Sequence, residues 1–330
     1  RLASTNLWYL VMEIPARSRV EYKLIIERDG KREMVRDPLN PDQAFDPYGS
    51  NSVCAGEGYE REDWTLPDAE ARAGKLTTHL LHSRVFDEPR PIKVYLPARF
   101  RRTARYPLLV VHDGSDYLRF SSLQTVLDNL IHRLEIPPVI AAQVDSPNRL
   151  DEYGANDRHG RFLVEDLLPA MKDNWPLVDR PSARTLMGAS FGGVATLHTA
   201  WKHPGVFGNL LLQSGSFAFT DIGESKRGPL FEKVVQFVNA FRADPGRPAD
   251  KLFLSCGVYE SLIYENRSLV PLLNDAGLEV KYVESRDGHN WENWRDRLRE
   301  GLSWLSPGPA LWPDPRRLTV SARPRSVVSG

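Results

Sequence analysis

The spacing of hydrophobic and polar positions changes near residue 76, which divides the chain into two parts. Before that point, the apolar or β-branched segments 7–14 and 20–27 are separated by polar turn residues, and Asp29-Gly30 predicts a hairpin turn. After it, short apolar runs alternate with helical patterns, which is typical of a sheet covered by helices on both faces. We therefore expect a small β-sandwich over residues 1–60 and an α/β domain over residues 76–306.

Eight apolar runs in the second part are the predicted strands. They cover residues 76–85, 92–96, 107–112, 139–144, 185–188, 210–213, 252–256 and 280–284. Continuous apolar runs of this length suit strands that are buried on both faces. Two helices are predicted from apolar residues that share one face. The first face consists of Phe162, Leu163, Leu167, Leu168 and Met171. The second consists of Trp291, Trp294, Leu298, Leu302 and Leu305.

Three segments lack such periodicity. Residues 37–49 are rich in Pro, Asp and Asn, which predicts an ordered loop. The acidic residues 61–75 are interpreted as a linker between the two domains. Residues 307–330 are dense in Pro, Arg and Ser, which predicts a loosely packed tail.

Composition narrows the range of partners. The 330 residues exceed what one hydrophobic core usually serves, and 43 basic residues balance 43 acidic ones, so a nucleic-acid partner is not expected. No apolar run reaches the length that a bilayer span needs, so no membrane partner is expected either. Two distant cysteines, Cys54 and Cys256, favour a reducing, cytoplasmic location.

The clearest chemical motif is Gly188-Ala189-Ser190-Phe191-Gly192, which matches G-x-S-x-G. It follows the predicted strand at 185–188 and precedes a helical stretch at 194–200. This strand-turn-helix context is the one in which a nucleophilic serine stands exposed on a strained turn. We therefore interpret Ser190 as a catalytic nucleophile; the alternative is a glycine-rich turn with an incidental serine.

A serine hydroxyl needs a base, and His289 is the best-placed histidine. It follows the last predicted strand and precedes the final helix, which is the late position that the base takes in this order of elements. The rival, His112, precedes Ser190 and would invert that order.

The acid that orients the imidazole should lie between Ser190 and His289. Glu260 comes three residues after the end of the predicted strand at 252–256 and its terminal Gly257, so it is the first candidate. A helix-capping surface glutamate is the alternative reading of Glu260. Asp221 and Asp287 are weaker candidates for the same role.

Two backbone amides should stabilise the oxyanion. One is the N–H of Phe191, directly after the nucleophile, and the other should come from the loop after the strand at 107–112. In that loop Gly114 permits close approach of the backbone, and the second donor is assigned to Ser115 or Asp116 without a choice between them.

Several motifs together resemble the enterochelin esterase family of α/β hydrolases. They are VHDG at 111–114, RLDEY at 149–153, EDLLP at 165–169, GASFGG at 188–193, QSGSF at 213–217 and DGHNW at 287–291. The resemblance implies an α/β-hydrolase fold, and the N-terminal part is similar to carbohydrate-binding module 48 and early-set immunoglobulin-like domains. It implies a serine esterase that needs no cofactor or metal and acts on a small-molecule ester, of which a catechol siderophore ester is one candidate.

The resemblance also suggests substrate contacts. Arg149 matches the family position that helps to hold a catechol substrate, although pairing with Glu152 would serve as well. Trp291 is a candidate pocket wall, and packing is expected of Trp294. The alternatives are an acyltransferase, a feruloyl or acetyl polysaccharide esterase, and a binding protein with a vestigial triad; a homo-oligomer is left open.

Overall fold

The structure is a computed structural model that describes residues 3–5, 9, 11–220 and 228–309. In these ranges the strands are β1 (Arg19–Tyr22), β2 (Leu24–Arg28), β3 (Lys31–Val35), β4 (Gln43–Asp46), β5 (Gly49–Ala55), β6 (Lys75–Ser83), β7 (Glu88–Leu96), β8 (Leu108–His112), β9 (Ile140–Val144), β10 (Arg184–Ala189), β11 (Asn209–Gln213), β12 (Lys251–Gly257) and β13 (Glu279–Ser285).

The α-helices of the described residues are α1 (Gly114–Phe120), α2 (Leu123–His132), α3 (Arg149–Tyr153), α4 (Asp157–Arg161), α5 (Leu168–Asn174), α6 (Phe191–Lys202), α7 (Glu232–Ala243), α8 (Ile263–Asp275) and α9 (Trp291–Leu305). A π-helical turn at Phe162–Leu167 joins α4 to α5. Short 3-10 turns lie at Asp63–Thr65, Pro181–Ala183 and Pro229–Phe231.

Strands β6 to β13 form one eight-stranded sheet in the described part of the chain, in the order β13-β12-β11-β10-β8-β9-β7-β6. β6 and β7 pair antiparallel with their neighbours, and the remaining pairings are parallel. Each strand lies where an apolar run predicts it. The central strands β8 to β11 are buried along their whole length, which is why they read as continuous apolar runs.

Helices cover both faces of this sheet. On one face α6, α7 and α8 pack against side chains such as Leu186 and Leu210, together with the predicted apolar face of the 162–171 segment. On the other face α1, α2 and α9 pack against Met187 and Leu211. Neighbouring residues of one strand thus belong to different cores, as the period of two along a strand requires. The predicted helical faces at 162–171 and 291–305 are both confirmed.

The N-terminal region consists of two small antiparallel sheets. β1, β5 and β4 form one, and the hairpin β2–β3 forms the other. Asp29 and Gly30 both have positive φ, 53° and 72°, so the predicted hairpin turn is confirmed. Among the described residues of this region, Ala44 is the one hydrophobic residue that is fully buried.

Local predictions in this region were wrong in part. The described residues within 7–14 form no strand, and residues 7, 8 and 10 lie outside the described residues. The predicted loop at 37–49 contains β4, which pairs with β5 through a turn at 47–48. The interpreted linker at 61–75 includes Trp64, whose ring is buried in the catalytic core, so this segment packs on the domain that it precedes.

Arg19 joins the N-terminal sheet to the catalytic domain. Its guanidinium is buried and lies 2.8 Å from Glu21, 3.1 Å from Glu292 and 3.6 Å from Asp287. Its backbone N–H donates to the carbonyl of Arg286 at 2.9 Å. These contacts hold β1 against the loop that carries His289.

Two remaining predictions concern the ends of the chain and membranes. The predicted tail at 307–330 lies outside the described residues from position 310 onward. No helix of the described residues has the length and apolar character needed to cross a bilayer.

Candidate active site

Ser190 stands on the turn between β10 and α6. Its φ and ψ are 56° and −119°, a strained conformation for a residue with a side chain. The turn is tight, since a Cβ added to Gly188 would lie 2.4 Å from the carbonyl carbon of Gly192. A backbone bond from Ser190 N–H to the Gln213 carbonyl, 2.9 Å long, holds the turn against the end of β11.

Glu260 and His289 are brought together from the ends of β12 and β13. The Nδ1 of His289 lies 2.7 Å from Oε2 of Glu260, whose side chain is fully buried. The other oxygen, Oε1, accepts from the N–H of Gly257 at 2.7 Å and from the hydroxyl of Ser214 at 2.6 Å. With one oxygen held in this way, the carboxylate directs the other at the imidazole.

The imidazole of His289 is positioned by packing as well. Its ring meets the face of Trp294 edge-on, with centroids 5.0 Å apart and planes at 89°. The indole N–H of Trp294 donates to the Ser214 hydroxyl at 3.0 Å. Among the described residues Nε2 of His289 has no hydrogen-bond partner, so it is free to take up a proton.

Ser190 contacts Ser216, which lies in the segment that follows β11. Its hydroxyl lies 3.3 Å from the hydroxyl of Ser216, and in the described chain that group, rather than His289, is its hydrogen-bond partner. The N–H of Ser216 also donates to the carbonyl of Ser190 at 3.2 Å. Because β10 to β13 are parallel, their carboxyl ends place all these residues at one edge of the sheet.

The backbone amides predicted as oxyanion donors differ in whether another group already accepts from them. The N–H of Phe191, the first residue of α6, has no partner among the described residues, as an oxyanion donor requires. The N–H of Ser115 donates to the Asp145 carboxylate at 3.0 Å, and that of Asp116 donates to the Asp113 carbonyl at 3.0 Å. The amides of Ser115 and Asp116 are therefore occupied, and the N–H of that loop without a partner among the described residues is that of Gly114.

His112, the rival base, is unavailable. It is fully buried, its Nδ1 donates to the Met187 carbonyl at 3.0 Å, and its Nε2 lies 2.9 Å from Nε2 of His159. Burial and the neighbouring His159 hold the pKa of His112 well below its usual range. A neutral imidazole that is buried and has both nitrogens in contact with protein groups helps to hold the sheet edge and is not accessible to a substrate.

Arg149 does not pair with Glu152, which was the alternative to a substrate contact. It forms a bidentate pair with Asp113, with distances of 2.8 and 2.7 Å. Glu152 pairs with Arg90 instead, at 2.9 and 2.8 Å. Arg149 therefore braces the loop that carries Gly114, and its role in binding substrate stays a prediction.

Trp291 packs among other aromatic rings, and its role as a wall of the substrate pocket stays a prediction. Its ring is 8% exposed and lies edge-on to Tyr117 at 5.2 Å and to Trp294 at 4.8 Å. Trp294, from which only packing was expected, also makes a polar contact through its indole N–H to Ser214. The sequence analysis did not identify Ser214 and Ser216, although both stand in the QSGSF motif directly after β11, nor Asn293, whose side-chain amide lies 3.5 Å from Oε1 of Glu260.

The alternative acids are accounted for as follows. Asp287 is buried and accepts from the side-chain amide of Asn290 at 2.7 Å, and the Nδ1 of His289 bonds to Glu260 instead. Asp221 lies outside the described residues.

No group of three metal-ligating side chains occurs among the residues that the structure describes.

A serine on a strand-to-helix elbow and a histidine held by a buried glutamate, at the carboxyl edge of this sheet, define a serine hydrolase of the α/β-hydrolase fold. The family model described as "Putative esterase" matches residues 83–305. The chain therefore belongs to that family and is a carboxylic ester hydrolase, in agreement with the resemblance to the enterochelin esterases.

Individual relatives of this chain are also esterases. The iron(III) enterobactin esterase of Escherichia coli (strain K12) is 26% identical over 326 residues, which covers 92% of this chain and 80% of the relative. The acetyl esterase of Caldicellulosiruptor saccharolyticus is 21% identical over 179 residues, an alignment that covers 48% of this chain and 67% of the relative.

Solved structures confirm the fold. The enterobactin esterase from Shigella flexneri, crystallised in the presence of enterobactin, superposes with a TM-score of 0.74 at 24% identity, over 92% of this chain and 82% of that one. A ferulic acid esterase gives a TM-score of 0.62 at 20% identity, over 71% of this chain and 98% of that one.

Proposed function

We propose that this chain hydrolyses small-molecule carboxylic esters through an acyl intermediate on Ser190. His289 is the general base and Glu260 orients it. The observation that carries the proposal is the 2.7 Å contact between His289 and the buried carboxylate of Glu260, at the sheet edge where Ser190 occupies a strained turn. A buried carboxylate aimed at Nδ1 leaves Nε2 as the proton acceptor.

The reaction proceeds in two steps. The Ser190 hydroxyl leaves Ser216 and turns toward His289, which removes its proton as the oxygen attacks the ester carbonyl. The free N–H groups of Phe191 and Gly114 stabilise the negative oxygen, and the N-terminus of α6 adds its partial positive charge. The alcohol departs with the proton from His289, and water then releases the acyl group by the same route.

The substrate class is proposed from the relatives. The enterobactin esterases extend over nearly the whole chain, so a catechol siderophore ester is the first candidate. The acetyl esterase similarity favours short acyl esters as a second candidate, although it covers 48% of the chain. A cytoplasmic location and a homo-oligomeric state remain predictions.

The nucleophile is tested by labelling the full chain with a fluorophosphonate probe and by measuring turnover of p-nitrophenyl acetate. Ser190→Ala should remove both while the far-ultraviolet circular dichroism stays unchanged. As a matched control, Ser303→Ala alters a partly exposed serine on α9 and should retain both. Labelling that survives Ser190→Ala would mean that the nucleophile is elsewhere.

The substrate is tested by measuring hydrolysis of a catechol trilactone, a feruloyl sugar and a short acyl ester side by side. Preference for the trilactone by tenfold or more in kcat/KM supports the siderophore class, on the scale of about 1.4 kcal/mol per tenfold. Preference for the short ester would favour the second candidate instead.

A further inference from the structure

A cavity of about 320 Å³ opens beside His289, where the N-terminal sheet meets the catalytic domain. The catalytic domain contributes Tyr259 and residues 288–290 to its wall, and the N-terminal sheet contributes residues 20–23 and Asn51. A cavity of this size is at the lower end of the range that holds small organic ligands. It is therefore large enough for part of a substrate.

Among the residues that the structure describes, two charged ones line this cavity, Glu21 and Lys23, and they differ in whether protein groups already pair with them. The carboxylate of Glu21 is committed, because it lies 2.8 Å from the Arg19 guanidinium and accepts from the side-chain amide of Asn51 at 2.7 Å. Lys23 is half-buried and has no ion pair or hydrogen bond with any residue that the structure describes. Lys23 is thus the lining residue whose charged group has no partner among the described residues.

The remaining polar groups of the wall are also engaged. The hydroxyl of Tyr259 lies 2.6 Å from that of Ser18, and the hydroxyl of Tyr22 donates to Asp37 at 2.8 Å. The side-chain oxygen of Asn290 accepts from the N–H of Asn293 at 2.8 Å. Lys23 and the free edge of His289 are therefore the two groups best able to act on an occupant.

The position of His289 indicates which part of an ester would enter. In acyl transfer the imidazole that takes the serine proton hands it to the departing oxygen, so the alcohol part of the substrate must lie against that imidazole. A cavity that shares His289 with the reaction centre is on the alcohol side of the ester. This step rests on the function proposed above.

We propose that this cavity is the subsite for the alcohol part of the substrate, and that Lys23 makes it favour alcohols that carry an anionic group such as a carboxylate. An ammonium is a compact point charge on a flexible stem, so it tolerates anions of different geometry. The N-terminal sheet thereby contributes to specificity, and Lys23 acts in recognition and takes no part in the chemical step.

The test compares two esters that differ in charge at the alcohol. One is the acetyl ester of 3-hydroxybenzoate, which is anionic, and the other is the acetyl ester of 3-hydroxybenzamide, which is neutral and of similar size. Lys23→Met should lower kcat/KM for the anionic ester by about fivefold, the scale of a partly exposed ion pair, mainly through KM. Turnover of the neutral ester should be unchanged.

Two controls make the result specific. Lys23→Arg should retain the preference, and Lys31→Met, on the exposed strand β3 of the same region, should behave as the unaltered protein. In the unaltered protein the preference should shrink between ~20 mM and ~500 mM salt, because ions screen a charge pair that is open to solvent.

The outcomes separate this proposal from the proposed function. If Lys23→Met changes both esters equally, or neither, the subsite assignment is wrong while ester hydrolysis stands. If the unaltered protein cleaves neither ester and is not labelled by fluorophosphonate, the proposed function fails and the subsite assignment falls with it.

Discussion

Oε2 of Glu260 and Nδ1 of His289 are joined by a hydrogen bond of 2.7 Å, between a fully buried carboxylate and an imidazole whose side chain is 38% exposed. The buried partner is rigidly held, and the exposed partner faces the solvent from which substrate arrives. Such a carboxylate fixes the imidazole tautomer and stabilises the imidazolium that forms during the reaction. The two side chains should therefore act as one unit.

Replacing the carboxylate tests this unit directly. Glu260→Gln keeps the shape of the side chain but removes the charge that stabilises the imidazolium, so kcat for p-nitrophenyl acetate should fall by about 10³ to 10⁴-fold. Glu300→Gln, on the outer side of α9 where Glu300 pairs with Lys281, serves as the control and should retain full activity. A Glu260→Gln variant with nearly unchanged kcat would remove Glu260 from the mechanism.

Ser214 holds the other oxygen of that carboxylate. Its hydroxyl donates to Oε1 of Glu260 and accepts from the indole N–H of Trp294. Ser214→Ala leaves the indole N–H unpaired and the carboxylate less constrained, so we expect unfolding free energy to fall by about 1–2 kcal/mol. We also expect kcat to fall by roughly tenfold with KM unchanged, since the effect on Glu260 is one of position.

The measurement separates a positioning role from a merely structural one. Stability is taken from urea unfolding, and kcat and KM are taken from steady-state rates well below the unfolding transition. If stability falls but kcat does not, Gly257 and Asn293 hold Glu260 without help from the serine.

The parts of the fold that sequence predicts are those specified locally. Buried parallel strands such as β8 and β11 are short apolar runs, and the Ser190 elbow is a motif with a strand before it and a helix after it. The proximity of His289 and Glu260 could be expected because they lie four and three residues after the ends of neighbouring parallel strands. The edge strand β4 was missed because it has only four residues, of which Ala44 alone is buried, and it lies in a segment rich in Pro and Asp that favours a loop.

Contacts between distant residues were beyond sequence reasoning. The roles of Ser214 and Ser216 depend on partners 46 and 26 residues away. The amide of Ser115 is lost as an oxyanion donor because Asp145, from the end of another strand, occupies it. No local pattern indicates either pairing, since both arise only when the parallel strands align their carboxyl ends.

Asp287 gives a prediction for stability against pH. Burial raises the pKa of Asp287 to about 6, although Arg19 at 3.6 Å opposes the shift. In the unfolded chain an aspartate has a pKa of about 3.9, so between these values the folded protein binds more protons. Stability should therefore decrease as pH rises from about 4 to about 6, by on the order of 2 kcal/mol from this group.

Asp287→Asn removes this titration while its side-chain oxygen still accepts from Gly288 and Asn290. Arg19 keeps Glu21 and Glu292 as partners. Urea unfolding at pH 4, 5, 6 and 7 should give a flatter pH dependence for the variant than for the unaltered protein. Parallel curves for the two proteins would show that Asp287 does not titrate in this range.

The buried pair Arg90–Glu152 gives the last prediction. Their side chains are 4% and 5% exposed and form two hydrogen bonds of 2.8 and 2.9 Å. Although burial opposes it, the nearby His159 ring, whose Nδ1 lies 3.7 Å away, and the hydrogen bonds with Arg90 hold the pKa of Glu152 at about 2. Arg90→Met would leave a charged carboxylate buried without its main partner, so we expect a loss of about 3–5 kcal/mol in unfolding free energy.

The double variant Arg90→Met, Glu152→Leu discriminates between loss of the pair and loss of packing. Because a buried ion pair and an apolar pair of similar size often contribute similar stability, the double variant should recover most of what the single variant loses. His159 would then lie beside an apolar side chain, and its contact with His112 should persist because it does not depend on Glu152. A double variant as unstable as Arg90→Met alone would mean that the contact of the Arg90 guanidinium with the Phe86 ring, at 4.0 Å, provides the stability and that the pair with Glu152 does not.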